Sequence, residues 1–110
     1  YDVDDAELIV VSFGIAARIA IAAVRMLREE GRKIGHFRPV TLFPFPERQL
    51  RELAGPDRRF MTVELNAGQM VEDVRLAVNG RSDVLFYGRP GGAIMTPEEL
   101  YERLKDELKG

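Results

Sequence analysis

The sequence predicts an α/β fold, a three-layer αβα sandwich with a mainly parallel sheet of four strands. Short apolar runs alternate with helical stretches four times, in the order βαβαβαβα, and such alternation is typical of parallel sheets with right-handed crossovers. Two runs, residues 7–13 and 60–65, are the longest and most apolar, like strands buried on both faces. We therefore place the first and third strands centrally and predict the strand order 2-1-3-4.

The first half of the chain contains two strand–helix units. Residues 7–13 form the first strand, and the Ala-rich stretch 15–30 forms a helix that Gly31 ends. Residues 33–38 predict a second, shorter strand. After a Pro- and Phe-rich loop, Pro46 and the acidic residue that follows open a helix that runs to about residue 54.

The second half repeats this pattern twice. Residues 60–65 form the third strand, and a helix follows a short Gly-containing loop and runs to Val78. Residues 84–87 form the fourth strand. Thr96 and Pro97 mark the start of the last helix as N-cap and first helical residue, and this helix runs to about residue 108.

Composition limits the class of protein. A chain of 110 residues is one domain; we assign residues 1–5 to a linker remnant and 6–110 to a single α/β domain. The net charge of −2 argues against a nucleic-acid partner, and no apolar run predicts a membrane span. With no cysteine, the chain can hold neither a disulfide nor a thiolate-ligated iron–sulfur cluster. We expect a cytoplasmic setting, and a chain that opens without Met suggests a fragment of a longer protein.

The loop between the third strand and its helix is the first candidate site. It contains Asn66, Gly68 and Gln69, and it lies at the predicted switch point between strands 1 and 3, where ligands and partners gather in open α/β sheets. Its amides donate and accept hydrogen bonds, but the loop has no nucleophile, base or metal ligand. This pattern favours docking or binding over chemistry.

Two further loops supply candidates. Arg89 and Gly91 lie in the run GRPGG (88–92), which can cradle an anion or serve only as a connection that needs positive φ. Phe43 and Phe45 lie in the loop after the second strand and form an apolar patch for a partner if they are exposed. We expect at least one of the two to face a neighbour.

Two buried-strand residues complete the candidates, and neither is assigned a catalytic or metal-binding role. His36, the only histidine, is mid-strand, and the sequence shows no partner for a dyad or a metal site, so we interpret it as structural. Glu64 near the end of the third strand can bond Asn66 or the start of the next helix.

Three segments together resemble a known family. The segments FRPVTLFPFP (37–46), VELNAGQM (63–70) and FYGRPGG (86–92) resemble the carboxyl-terminal domain of the α subunit of 2-oxoacid:ferredoxin oxidoreductases, over about residues 5–100. The resemblance implies the transketolase carboxyl-terminal-like fold, whose extra antiparallel edge strand this chain either lacks or has had cut off upstream. Ile15 departs from the family, where Ser or Thr often follows the Gly.

The resemblance also implies a function. The parent enzymes oxidatively decarboxylate a 2-oxoacid, transfer the acyl group to coenzyme A and reduce ferredoxin, using thiamine diphosphate, Mg²⁺ and iron–sulfur clusters. We expect this chain to be a non-catalytic assembly domain whose partners are the other α-subunit domains and a β subunit. Two alternatives stay open: Asn66, Gln69 and Arg89 contribute directly to coenzyme A or oxoacid binding, or the chain is a free-standing flavodoxin-like anion-binding module.

Overall fold

The chain forms a three-layer αβα sandwich in a computed structural model that describes residues 3, 5–39, 46–64, 69–88 and 95–108. The strands are β1 (Leu8–Val11), β2 (Ile34–Phe37), β3 (Arg59–Glu64) and β4 (Asp83–Gly88). The helices are α1 (Gly14–Glu29), α2 (Glu47–Leu53), α3 (Gln69–Val78) and α4 (Pro97–Leu108). The predicted element order is confirmed, and the bounds differ from prediction by one or two residues at most ends.

All strand pairs in the sheet are parallel, and the strand order β2-β1-β3-β4 is the predicted one. β1 is central: Leu8 pairs with Ile34 on one side and with Arg59 on the other. All four residues of β1 are fully buried, because helices cover both faces of a parallel sheet. The apolar run that predicted a central strand therefore has the burial that such a strand requires.

Two apolar clusters lie on opposite faces of the sheet. On one face, alternate strand residues such as Leu8 and Val10 pack against α1 and α4, with Leu27 and Leu104 at the helix side of the contact. On the other face, the intervening strand residues pack against α2 and α3. This division follows from the alternation of side chains along a strand.

Helix boundaries follow the local signals in the sequence. The Thr96 hydroxyl accepts a hydrogen bond from the Glu99 backbone N–H at 3.1 Å, so the predicted N-cap of α4 is confirmed. α1 is followed by Gly31 at φ +83°, which fits its predicted capping role because glycine takes this conformation without steric cost. Asn79 and Gly80 both have positive φ after α3, as their turn signal predicted.

At the amino edge of the sheet, where the strands begin, hydrogen bonds, an ion pair and apolar packing connect neighbouring segments. Arg58 donates to the carbonyl oxygens of Ala6 at 2.9 Å and Leu53 at 2.8 Å. Val3 packs against the α2–α3 side of the core, and Asp5 pairs with Arg28 of α1 at 2.6 Å, which holds the pKa of the Asp5 carboxyl below its usual value. These two residues precede the predicted domain boundary at residue 6 and contact the domain.

Candidate functional site at the carboxyl edge of the sheet

The carboxyl edge of the sheet, where the strands end, is the predicted location of the site. Its described part comprises the residues that follow β1 and β2, the end of β3, the start of α3, and the end of β4. β1 and β3 are adjacent while their crossovers lead to opposite sides of the sheet, so the switch point lies between them, as predicted.

Most of the predicted site residues fall outside the described part of the chain. These residues are Phe43, Phe45, Asn66, Gly68, Arg89 and Gly91. Gln69 is the first residue of α3, and its side chain is also outside the description. The loops assigned to docking and anion binding therefore stay predictions, although the elements that flank each of them end or begin at this edge.

A hydrogen-bonded pair that the sequence did not reveal joins the ends of β1 and β2. Ser12 Oγ lies 2.5 Å from His36 Nε2, and both residues are buried. The partner arises from the strand register, because Val10 pairs with His36 and Ser12, two residues beyond Val10, points to the same face. The sequence did not show this partner, and the mid-strand position predicted for His36 is confirmed.

The environment of His36 keeps the imidazole neutral. Burial lowers the pKa of His36 to about 4, and the nearby positive charge of Arg38 contributes in the same direction. A protonated imidazole inside the sheet would lose its hydration, which disfavours the charged form. Since Ser12 is fully buried, its hydroxyl is not placed to attack a substrate, and the pair connects two strands.

Glu64 uses its carboxylate to start α3. Its Oε1 accepts the Met70 backbone N–H at 2.7 Å, and its Oε2 accepts the Val71 N–H at 3.2 Å. These N–H groups belong to the first turn of α3, which has no intrahelical acceptors for them. Of the two roles predicted for Glu64, the bond to a helix start is confirmed.

The buried polar side chains in the described part of this edge are therefore engaged within the chain. No buried side-chain nitrogen or oxygen of the described residues lacks a hydrogen-bond partner. The same residues contain no group of three or more His, Cys, Asp or Glu that could hold a metal ion. The described helices include none that is long and apolar enough to cross a membrane.

An apolar side chain projects from the same edge. Ile15, at the start of α1, is 68% exposed. It follows Gly14, whose φ of +63° allows the chain to turn from β1 directly into the helix. Among large hydrophobic residues in the described ranges, only Leu76 on α3 is more exposed, at 71%.

The fold is that of a transketolase carboxyl-terminal-like domain. The chain resembles 2-oxoglutarate:ferredoxin oxidoreductase from Magnetococcus marinus, solved with 2-oxoglutarate, coenzyme A and succinyl-CoA bound, with a TM-score of 0.74 and 21% identity over 94% of this chain and 18% of that one. It also resembles a split-gene transketolase, solved as an inactive β4 tetramer, with a TM-score of 0.70 and 19% identity over 93% of this chain and 38% of that one.

Residues 6–100 match the family described as pyruvate:ferredoxin oxidoreductase core domain II, and the chain belongs to this family. It is 44% identical to ketoisovalerate oxidoreductase subunit VorB of Methanothermobacter thermautotrophicus over 96% of this chain and 30% of that subunit. It is 37% identical to 2-oxoglutarate synthase subunit KorA of Methanothermobacter marburgensis over 92% of this chain and 27% of that subunit. The chain thus spans about a third or less of the length of these relatives. The resemblance found in the sequence is confirmed.

Proposed function

We propose that this chain is a structural and assembly domain of the α subunit of a 2-oxoacid:ferredoxin oxidoreductase, and that it acts in the cytoplasm. The parent enzyme would decarboxylate a 2-oxoacid oxidatively, form an acyl-CoA and reduce ferredoxin, using thiamine diphosphate, Mg²⁺ and iron–sulfur clusters. The relationship to oxidoreductase subunits supports this activity for the parent. The chain itself would position the domains that carry the cofactors.

The assembly role is supported by a contrast at the carboxyl edge between polar side chains that are bonded within the chain and an apolar side chain that is exposed. The polar atoms of Ser12 and Glu64 bond to His36 and to the backbone of α3, while Ile15 at the start of α1 has an exposed apolar side chain. A site for chemistry needs polar groups that converge on a substrate, whereas a docking surface needs an apolar anchor with a polar rim. The described edge fits a docking surface.

The described residues do not fit a thiamine diphosphate–Mg²⁺ site. Mg²⁺ binds carboxylate and other oxygen ligands together with phosphate oxygens, and the buried carboxylate at this edge, Glu64, already accepts two backbone N–H groups. Isothermal titration of the 110-residue chain with thiamine diphosphate and Mg²⁺ should therefore give no binding in the micromolar range. Micromolar binding would contradict the assignment of the cofactor to other domains.

The docking role is tested by reconstitution with the remaining α-subunit segments and the β subunit. Ile15→Ser should weaken co-purification or lower 2-oxoacid oxidation, while the isolated chain keeps its melting temperature, because an exposed side chain contributes little to folding. Leu76→Ser is the matched control, since Leu76 is equally exposed but lies on α3. It should leave assembly unchanged.

Two predicted edge residues provide a second test in the same assay. Gln69→Glu introduces a charge, and Phe43→Ser removes an apolar anchor, so each should weaken assembly without unfolding the chain. If these two variants and Ile15→Ser all assemble and react like the parent, the carboxyl edge faces solvent and the interface lies elsewhere.

A further inference from the structure

Among the described strands, β4 lies at an edge of the sheet, and its side chains stay accessible. None of its six residues is buried, whereas three of the four residues of β2, at the opposite edge of the described sheet, are buried. An edge strand offers unpaired N–H and C=O groups to another strand. We propose that β4 pairs antiparallel with β4 of a second copy of this chain, about a twofold axis that passes through Phe86.

The backbone of β4 presents suitable groups for this pairing. The Thr62 hydroxyl of β3 donates to the Leu85 carbonyl oxygen at 3.4 Å, so the Leu85 carbonyl points towards β3. Because backbone groups alternate in direction along a strand, those of Val84, Phe86 and Gly88 point away from the sheet. A twofold axis at Phe86 pairs Phe86 with its own copy and Val84 with Gly88, which allows about six interstrand hydrogen bonds.

The side chains of the two β4 strands are also complementary when the twofold axis passes through Phe86. The two Phe86 rings meet on one face of the joined sheet, and Leu85 of each copy meets Tyr87 of the other on the opposite face. Directly opposed aromatic and apolar side chains are the pairs that stabilise antiparallel strands. Phe86 is 36% exposed in the single chain, so pairing removes apolar surface from water.

Charge complementarity favours a second copy over an unrelated strand. The Arg103 guanidinium of α4 lies over the Tyr87 ring, with Cζ 5.6 Å from the ring centroid. Asp83, at the other end of β4, is exposed and is on the same face as Tyr87 because four positions separate them. The twofold axis places the end of one β4 beside the beginning of the other, so Arg103 of each copy faces Asp83 of its partner copy.

Cross-linking tests the register, and the absence of cysteine from the chain makes the test specific. In a hydrogen-bonded antiparallel pair the Cα atoms are about 5.5 Å apart, within the range of a disulfide. Phe86→Cys should therefore form a covalent dimer under mild oxidation much faster than Leu76→Cys, the matched exposed control on α3. Equal rates for the two variants would overturn the proposal.

Charge reversal tests the complementarity by sedimentation equilibrium of the 110-residue chain. Asp83→Arg and Arg103→Asp should each weaken dimerisation about tenfold or more, and the double variant should restore the parent affinity to within about threefold. Far-UV circular dichroism confirms that each variant is folded. A parent chain that stays monomeric up to about 1 mM, or a double variant as weak as the single ones, would overturn the proposal. The outcome is read separately from that of the carboxyl-edge docking role, whose variants Ile15→Ser, Gln69→Glu and Phe43→Ser lie outside β4.

Discussion

Ser12 and His36 lie on neighbouring strand ends and share a buried hydrogen bond of 2.5 Å between Oγ and Nε2. The bond crosses between β1 and the edge strand β2, on the face that packs against α1 and α4. Because the imidazole is buried and uncharged, its protonation state is coupled to folding. This coupling gives the chain a defined acid sensitivity.

We predict that stability falls as the pH falls from about 6.5 towards 4. The pKa of His36 is lowered in the folded chain to about 4, so the unfolded chain, with an ordinary histidine pKa of about 6.5, binds the proton first. Between pH 7.5 and 5 the loss should be about 2 kcal/mol. Denaturant unfolding at each pH measures it.

His36→Gln is the control for this pH dependence. His36 is the only histidine, and the Asp5 carboxyl, whose pKa is lowered by its hydrogen bond with Arg28, stays ionised across this window. The variant should have a lower but nearly flat stability between pH 7.5 and 5. A slope as steep as that of the parent would show that His36 is not the group responsible.

Glu64→Gln should destabilise the chain by about 1–3 kcal/mol. The amide keeps one acceptor oxygen, but its NH₂ group then faces a backbone N–H of α3, and the favourable negative charge at the helix start is lost. Chemical denaturation measures the change. Glu72→Gln, on the exposed face of the same helix where Glu72 pairs with Arg75, should change stability by less than about 0.5 kcal/mol, and similar costs for both variants would refute the capping role.

Val10→Asp should cost several kcal/mol, about 3–5, because it buries an unpaired charge in a central strand. Val10 is fully buried and pairs with His36 and Met61. Thermal unfolding followed by circular dichroism measures the loss, and Leu76→Asp at an exposed helix position is the control. A melting temperature equal to that of the parent would mean that β1 is misplaced.

Gly88→Ala should destabilise the chain by about 1 kcal/mol, because a methyl group there would overlap the Phe86 ring and lie 3.1 Å from the Glu64 carbonyl oxygen. Combining it with Phe86→Ala should recover at least about 0.5 kcal/mol in a double-mutant cycle. Gly55→Ala, where no atom lies within 4 Å of the new carbon, is the control. Strictly additive effects would show that the ring and the glycine are not in contact.

Much of the fold could be predicted from the sequence because its signals are local. The apolar run at Leu8–Val11 indicated a central strand, and Thr96 with Pro97 marked the start of α4. Strand order followed from the relative length and apolarity of the runs. These features depend on periodicity and capping, which can be recognised from the order of residues along the chain.

The remaining features depend on the packing of segments that are distant in sequence. The Ser12–His36 bond arises from the β1–β2 register, and no spacing along the chain specifies a register between strands joined by a crossover. The exposure of β4 likewise depends on which segments cover the edge of the sheet. It could not be predicted, because the apolar sequence of residues 84–87 is typical of a buried strand. The loops that contain Asn66 and Arg89 were predicted from composition and lie outside the described residues.

The central position of β1 has a consequence for synthesis on the ribosome. Leu8 pairs with Ile34 and with Arg59, so β1, the first of the four described strands to be translated, needs two partners that follow it, and the second partner emerges roughly 3–10 s later at ordinary elongation rates. During that interval the stretch Leu8–Val11 can pair on one side only, with β2. Of the four described strands, β1 therefore waits longest during synthesis for the neighbours that bury it.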